Sequence, residues 1–252
     1  MHNEELLARL NGRIVRCRRC PRLVRHREAV AAAPPRRFQG QSYWARPLPG
    51  FGDPEARLLL IGLAPAAHGG NRTGRIFTGD ESGNWLFRAL WEAGFASQPT
   101  STHRDDGLRL RDAYITATIR CAPPANRPLP GEIANCEPYL LEELRALAHV
   151  RVVIGLGRVG WQAYLRARRA LGLALPRPLP AFGHGAATTF GDGVTLIASY
   201  HPSQQNTFTG KLTRAMLRAV FVHARRRLDR PADHRAAGTR VAAPQRREDS
   251  AR

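Results

Sequence analysis

Apolar residues along this chain fall into two patterns, short unbroken runs and longer stretches in which they recur every three or four positions. The run Leu58-Leu59-Leu60-Ile61 is continuous and short, which predicts a strand buried on both faces. Ala113–Ile119, dense in β-branched residues, predicts a second strand, Arg151–Ile154 a third and Val194–Ala198 a fourth. Helical spacing marks residues 4–10, a segment opening at Asp80-Glu81-Ser82 and carrying Trp85, Leu86, Ala89 and Leu90, and the stretch Glu132–His149. It returns around Trp161, Tyr164 and Leu165, and again over Thr209–Arg227, where Leu212, Met216, Val220 and Phe221 form one apolar face. Together these elements describe one α/β domain over residues 1–229. From about Arg230 to residue 252 the pattern fades into Ala, Pro, Arg and Asp, the composition of a mobile basic tail.

Three of the strands run directly into polar, turn-forming sequence: Ala66–Gly79, Arg120–Pro130 and Ser199–Asn206. Open α/β sheets bind ligands at the carboxyl ends of their strands, so these loops are the expected active site. They supply an acid, an amide and an imidazole in Asp80, Asn126 and His201. Each has a plainer reading, since Asp80 is well placed to cap the following helix and His201 could simply be packed. Residues 31–56, with five prolines, read as an irregular connection in which Gln39, Tyr43 and Trp44 either pack or form part of a substrate rim.

Composition changes the picture in one respect. Lys+Arg number 39 against 20 Asp+Glu, for a formal net charge of +19 over 252 residues. An excess of that size fits a polyanionic partner, because nucleic-acid affinity rests on neutralising phosphates. Lys211 is the sole lysine, so a preference for Arg is written through the chain, but such a preference does not explain the shortage of acids. No apolar run reaches membrane-span length and the first ten residues carry acids, which predicts a cytoplasmic protein.

Four cysteines in a reducing compartment suit metal ligation better than disulfides. Cys17 and Cys20 form a Cys-x-x-Cys pair followed by Pro21, and Cys121 and Cys136 lie a hundred residues further on. Four thiolates suit zinc or an iron–sulfur cluster, and spacing does not choose between them. Gly155-Leu-Gly157-Arg-Val-Gly160 matches the dinucleotide fingerprint. However, no Asp or Glu follows before Gly191 to hold a ribose, so no nucleotide cofactor is expected and the glycines are assigned to a tight strand–helix turn.

Taken together, GLAPAAHGGNRTGRIFTGDESG, IRCAPPANRP and YHPSQQN, with the order of the four cysteines, resemble the family 5 (type B) uracil-DNA glycosylases over roughly Cys17 to Arg227. The resemblance implies a three-layer α/β/α sandwich with a small central parallel sheet and a [4Fe–4S] cluster on Cys17, Cys20, Cys121 and Cys136. It implies excision of uracil and other deaminated bases from DNA in base excision repair. It nominates Asp80 for water and the sugar cation, His201 for the leaving base and Asn126 as an assistant. Gly62, Ala64, Ala66, His68, Phe77 and Asn206 would then contact the substrate base, with Phe77 stacked on it. Arg72, Arg75, Ser203, Gln204 and Lys211 would contact DNA. Phe208 would either wedge into the duplex or begin the core of the last helix, and Arg72 and Arg75 could instead pair with Asp80 or Glu81. Cutting the backbone after base release usually needs an amine nucleophile. With one lysine, read as lying in the last helix, the expectation is a monofunctional, monomeric enzyme. The competing reading is a non-catalytic, metal-stapled nucleic-acid-binding protein.

Overall fold

The computed structural model describes residues 2–230, so the expected basic tail lies almost wholly outside the described residues. In chain order the elements are α1 (His2–Val15), α2 (Pro21–Ala32), β1 (Phe51–Gly52), β2 (Leu58–Gly62), α3 (Gly70–Thr73), α4 (Glu81–Glu92) and β3 (Ala113–Ala117). They continue with α5 (Pro130–Ala146), β4 (Val152–Leu156), α6 (Gly157–Ala170), β5 (Ala187–Thr189), β6 (Thr195–Ser199), α7 (Gln204–Phe208) and α8 (Arg214–Asp229). The four apolar runs are the four inner strands. All five residues of each are buried, as expected of strands covered on both faces.

The sheet order is β1-β3-β2-β4-β6-β5. The inner four strands are parallel, with Leu60 opposite Ile115 on one side and Ile154 on the other. The short edge strands β1 and β5 are antiparallel, so the sheet is mixed at its rims. Side chains along a strand alternate between faces. Leu58 and Leu60 join Phe87, Leu90, Val220 and Phe221 on one side, beneath α4 and α8. Leu59 and Ile61 join Leu140, Trp161 and Tyr164 on the other, beneath α5 and α6. That division makes the three layers. The chain leaves β2 outward to β3 and then crosses back to β4, so the connections reverse between β2 and β4, and a crevice opens there at the carboxyl ends.

Several elements differ from the sequence reading, among them the short strands β1 and β5 and the single turn α3. Helix α2 was not anticipated; Pro21 opens it at a position where its missing N–H costs nothing. The last helix begins at Arg214 rather than Thr209. Gly210 turns at φ +72 and the Thr213 side chain caps the new start by accepting from Met216 N. The residues before that turn form the separate short helix α7, capped by Ser203. Strand β4 runs into α6 with no loop between them: Gly157 takes φ +81, and a Cβ on Gly160 would strike the Ile61 carbonyl oxygen. The glycine fingerprint is thus accounted for by a tight strand–helix turn and close packing of α6 on β2.

Candidate active site

The loop from Leu63 to Gly79 is built around its own arginine. Arg72 donates from Nε to the His68 carbonyl at 2.8 Å, from Nη2 to the Gly79 carbonyl at 2.9 Å and from Nη1 to Gln41 Oε1 at 2.9 Å. Asp80 stands where this loop meets α4. Its Oδ1 accepts from Gly83 N at 2.9 Å, which is the capping role. Its Oδ2 lies against Gly69 so closely that a Cβ there would collide with it. Burial pushes the Asp80 carboxyl above its ordinary range, against the pull of the Gly83 and Ser82 N–H groups and of Arg72.

Phe77 adopts φ +53, an uncommon conformation for an aromatic residue. Its ring packs on Gly62 at the end of β2 and lies 5.6 Å from the His201 ring, tilted by 32°. His201 itself follows β6. Burial draws its imidazole down to about 4, so the ring is neutral at physiological pH and offers one N–H. Asn206 Nδ2 donates to the His201 carbonyl at 2.8 Å and holds the loop. Leu63, Leu156, Gly157, Arg158, Val159, Phe182, Tyr200, His201, Asn206 and Lys211 line a cleft of about 420 Å³ at the β2–β4 crossover.

The fold brings Gly62, Phe77, His201 and Asn206 together directly. Asp80 and Asn126 stand on neighbouring loops and make no hydrogen bond to His201 among the described residues. Asn126 is exposed, and with Ala125 it holds two successive positive φ values, +50 and +56. Ala64 and Ala66 lie on the loop after β2 and are half-buried. His68 is turned away from the cleft into a cluster with Tyr43, whose hydroxyl is 2.9 Å from its Nδ1, and with Phe38. Arg75 is buried rather than surface-exposed: it pairs with Asp106 at 2.7 Å and bonds Thr78, Ser101 and the Arg104 carbonyl. This corrects both the phosphate role and the alternative pairing with Asp80 or Glu81. Arg72, bound to carbonyls and Gln41, forms no ion pair with either acid. Ser203 is a helix cap, whereas Gln204 is exposed. Phe208 is 78% exposed at the end of α7, so it does not begin the core of the last helix. Lys211 lies in the turn before α8, not within the helix, and its Nζ is 5.0 Å from the Tyr200 ring centroid at the cleft rim.

Sequence reasoning missed Arg158, Phe182 and Tyr200 in the cleft wall. Tyr200 adjoins His201 and Arg158 sits inside the glycine fingerprint, so both carried a signal of position. Phe182, in a proline-rich crossing, carried none. His184 was missed as well; its Nδ1 accepts from Tyr200 N at 3.1 Å and its Nε2 faces the Met216 carbonyl at 3.3 Å, pinning the start of the histidine loop.

On the far side of β3 the cysteines converge. Cys20, Cys121 and Cys136 share one packed group with Leu23 and Ile119, and Cys17 packs beside Tyr139. Arg27, buried at 2% exposure, donates to Cys121 Sγ at 2.9 Å, and Asn135 Nδ2 lies 3.4 Å from Cys20 Sγ. Burial pushes the Cys121 thiol up to about 12 against the pull of Arg27. Among the described residues no set of three or more His, Cys, Asp or Glu is arranged to hold a metal ion, and no helix is long and apolar enough to cross a membrane.

Comparison with known proteins gives a consistent result. A model of the uracil DNA glycosylase superfamily matches residues 49–225. The chain is 50% identical over 221 residues to a type-5 uracil-DNA glycosylase of Mycobacterium tuberculosis, covering 87% of this chain and 81% of the relative. It is 51% identical over 210 residues to the type-5 enzyme of Thermus thermophilus, covering 83% and 93%. A type-4 uracil-DNA glycosylase of Thermotoga maritima is 24% identical over 202 residues, 79% and 83% of the two chains.

Proposed function

The chain belongs to the uracil-DNA glycosylase superfamily and, within it, to the type-5 family; from that premise we propose that it hydrolyses the N-glycosidic bond of uracil and of other deaminated bases in DNA, as a step of base excision repair. The observation that carries this reading is the His201 ring, lining the cleft at the switch point of the sheet 5.6 Å from the Phe77 ring. A base inside a duplex is out of reach, so it is flipped into the cleft, which is least costly for a mispaired one. Phe77 offers a face for that base to stack on. As the bond from the sugar C1′ to the base nitrogen breaks, its electron pair passes to the base. His201 donates its one N–H toward the base carbonyl oxygen where the negative charge gathers.

The Asp80 carboxylate faces the positive charge left on the sugar and orients the water whose oxygen bonds to C1′. The water proton passes to the carboxylate, and from there to solvent. Asn126, on the next loop, assists in holding that water or the base. The residues after β2 are Leu63, Ala64, Pro65, Ala66 and Ala67, none with a polar side chain. Reading of the base edge then falls on backbone groups and His201, which supports tolerance of hypoxanthine and xanthine as well as uracil. Lys211 is engaged as a cation over Tyr200, and the abasic strand is left uncut; borohydride trapping of a protein–DNA adduct would overturn this.

The four cysteines and the Arg27 and Asn135 donors fit a [4Fe–4S] cluster. A cluster spreads its four sulfur ligands over four irons, so it does not need them gathered round one ion. Such a group, when bound, supplies a structural tie between the N-terminal segment and α5. Arg22 already makes one such tie, pairing with Glu132 at 2.8 Å. Iron and sulfide analysis of anaerobically purified protein tests the assignment, and zinc in their place would reject it. The activity is tested by incubating duplexes carrying one uracil, hypoxanthine, xanthine or normal base and then treating with alkali. Alkali-dependent cutting at the damaged bases alone supports the reading, and no cutting at any of them sinks it.

A further inference from the structure

We propose that the irregular segment 33–50, with the outer side of the Asp80 loop, forms a second DNA-binding surface that grips the phosphate backbone of duplex flanking the damaged base. No acid occurs between Glu28 and Asp53, nor between Leu63 and Gly79. The fold joins these two acid-free stretches: Trp44 N donates to the Arg72 carbonyl at 2.9 Å, Ala45 N to the Asn71 carbonyl at 3.0 Å, and Gly74 packs under the Trp44 ring. Two half-buried aromatic rings there each carry two guanidinium groups. Arg37 and Arg72 stand 4.9 and 4.3 Å from the Phe38 ring centroid, and Arg46 and Arg104 stand 5.7 and 4.9 Å from that of Trp44.

Arg36, Arg37 and Arg46 have no carboxylate partner among the described residues, and Arg104 has only Asp105, at 3.5 Å and 80% exposed. Some exposed arginines elsewhere do pair, such as Arg166 with Glu137 and Arg218 with Glu92, and others such as Arg9, Arg25 and Arg169 do not among the described residues. What sets this surface apart is the stacking of its guanidinium groups on two rings in acid-free sequence. Arg72 spends its N–H groups inside its own loop and on Gln41. The Arg37 and Arg46 guanidinium groups are held on an aromatic face with no protein acceptor among the described residues, and such an edge matches phosphate oxygens. A single strand needs bare aromatic faces on which its bases stack. Here guanidinium groups stand over both rings, so the surface suits a duplex backbone.

This surface rests on the glycosylase reading only for which DNA arrives, and its test is independent of excision. Binding of an undamaged duplex is followed by fluorescence anisotropy across a salt series, for the wild type, R37A/R46A and the control R166A/R218A. Losing two phosphate contacts should weaken binding ~10-fold or more at low salt and flatten the log–log salt slope by about two. The control should behave as wild type, and the melting temperatures should agree. With saturating protein, the single-turnover rate of R37A/R46A on a uracil duplex should stay at the wild-type value. Wild-type affinity and slope in R37A/R46A would overturn the proposal even if excision is normal. A protein that binds through these arginines but excises nothing would leave the surface standing and remove the enzyme.

Discussion

Asp80 and Asp106 are two carboxylates screened from solvent, each near an arginine of the same loop, and they end in opposite electrostatic states. Asp106 also suffers the cost of burial, yet both its oxygens accept from Arg75 Nη2 and it receives N–H bonds from Thr102 and Leu108, which together bring it down to about 2. Asp80 receives helix-cap bonds and little more, because Arg72 has turned its N–H groups to the His68 and Gly79 carbonyls. Burial therefore prevails and its carboxyl is raised, against the weaker pull of those bonds and of Arg72. The lesson is that proximity of an arginine does not decide a carboxylate's state; where the fork of donors points does. One acid is fully satisfied and holds the fold; the other caps a helix through Oδ1, with Oδ2 against Gly69 and no side-chain donor among the described residues.

The sharpest way to break this comparison is to neutralise each acid in turn. D80N should cut single-turnover excision of uracil by ~10²–10⁴, the usual size of a lost general base, whereas D106N should leave the rate of the folded protein near wild type. Next in size is H201Q, which retains an N–H donor but not the imidazole geometry and should cost ~10²–10³ in the same assay. Arg75→Met leaves the Asp106 charge buried and unpaired, and chemical denaturation should show a loss of about 3–5 kcal/mol.

Acid titration should separate the two carboxylates by sign. The stability that Asp106 contributes is present above its unfolded pKa near 4 and is lost as pH falls through about 2, so D106N should flatten the acid limb of the melting curve. Asp80 is raised, so its contribution is full at low pH and is lost as pH rises through its folded value. D80N keeps a good capping residue without the buried charge and should melt ~1–3 °C higher at neutral pH. A D80N protein that melts lower at neutral pH would show that the carboxylate stabilises the fold.

The buried framework was legible because its strands are unbroken apolar runs, and runs such as Leu58–Ile61 have few other solutions. Loop chemistry was legible only as an inventory: Asp80, Asn126 and His201 stood out by residue type and position. The partners of Arg75 did not, since Asp106 lies 31 residues away and nothing local pairs them. Helix α2 went unread because Pro21 was weighed only as part of the Cys-x-x-Cys turn, not as a helix start. The edge strands β1 and β5 are two and three residues long, below what any alternation pattern can register.

Lys211 has a practical consequence as well. A chain with one lysine offers a single side-chain amine, and folding has placed it at the mouth of the cleft beside Tyr200. An amine-reactive fluorophore, applied under conditions that spare the α-amino group, would mark one address. Its emission would then register each arrival and departure of substrate without any engineered cysteine to compete with the four already present.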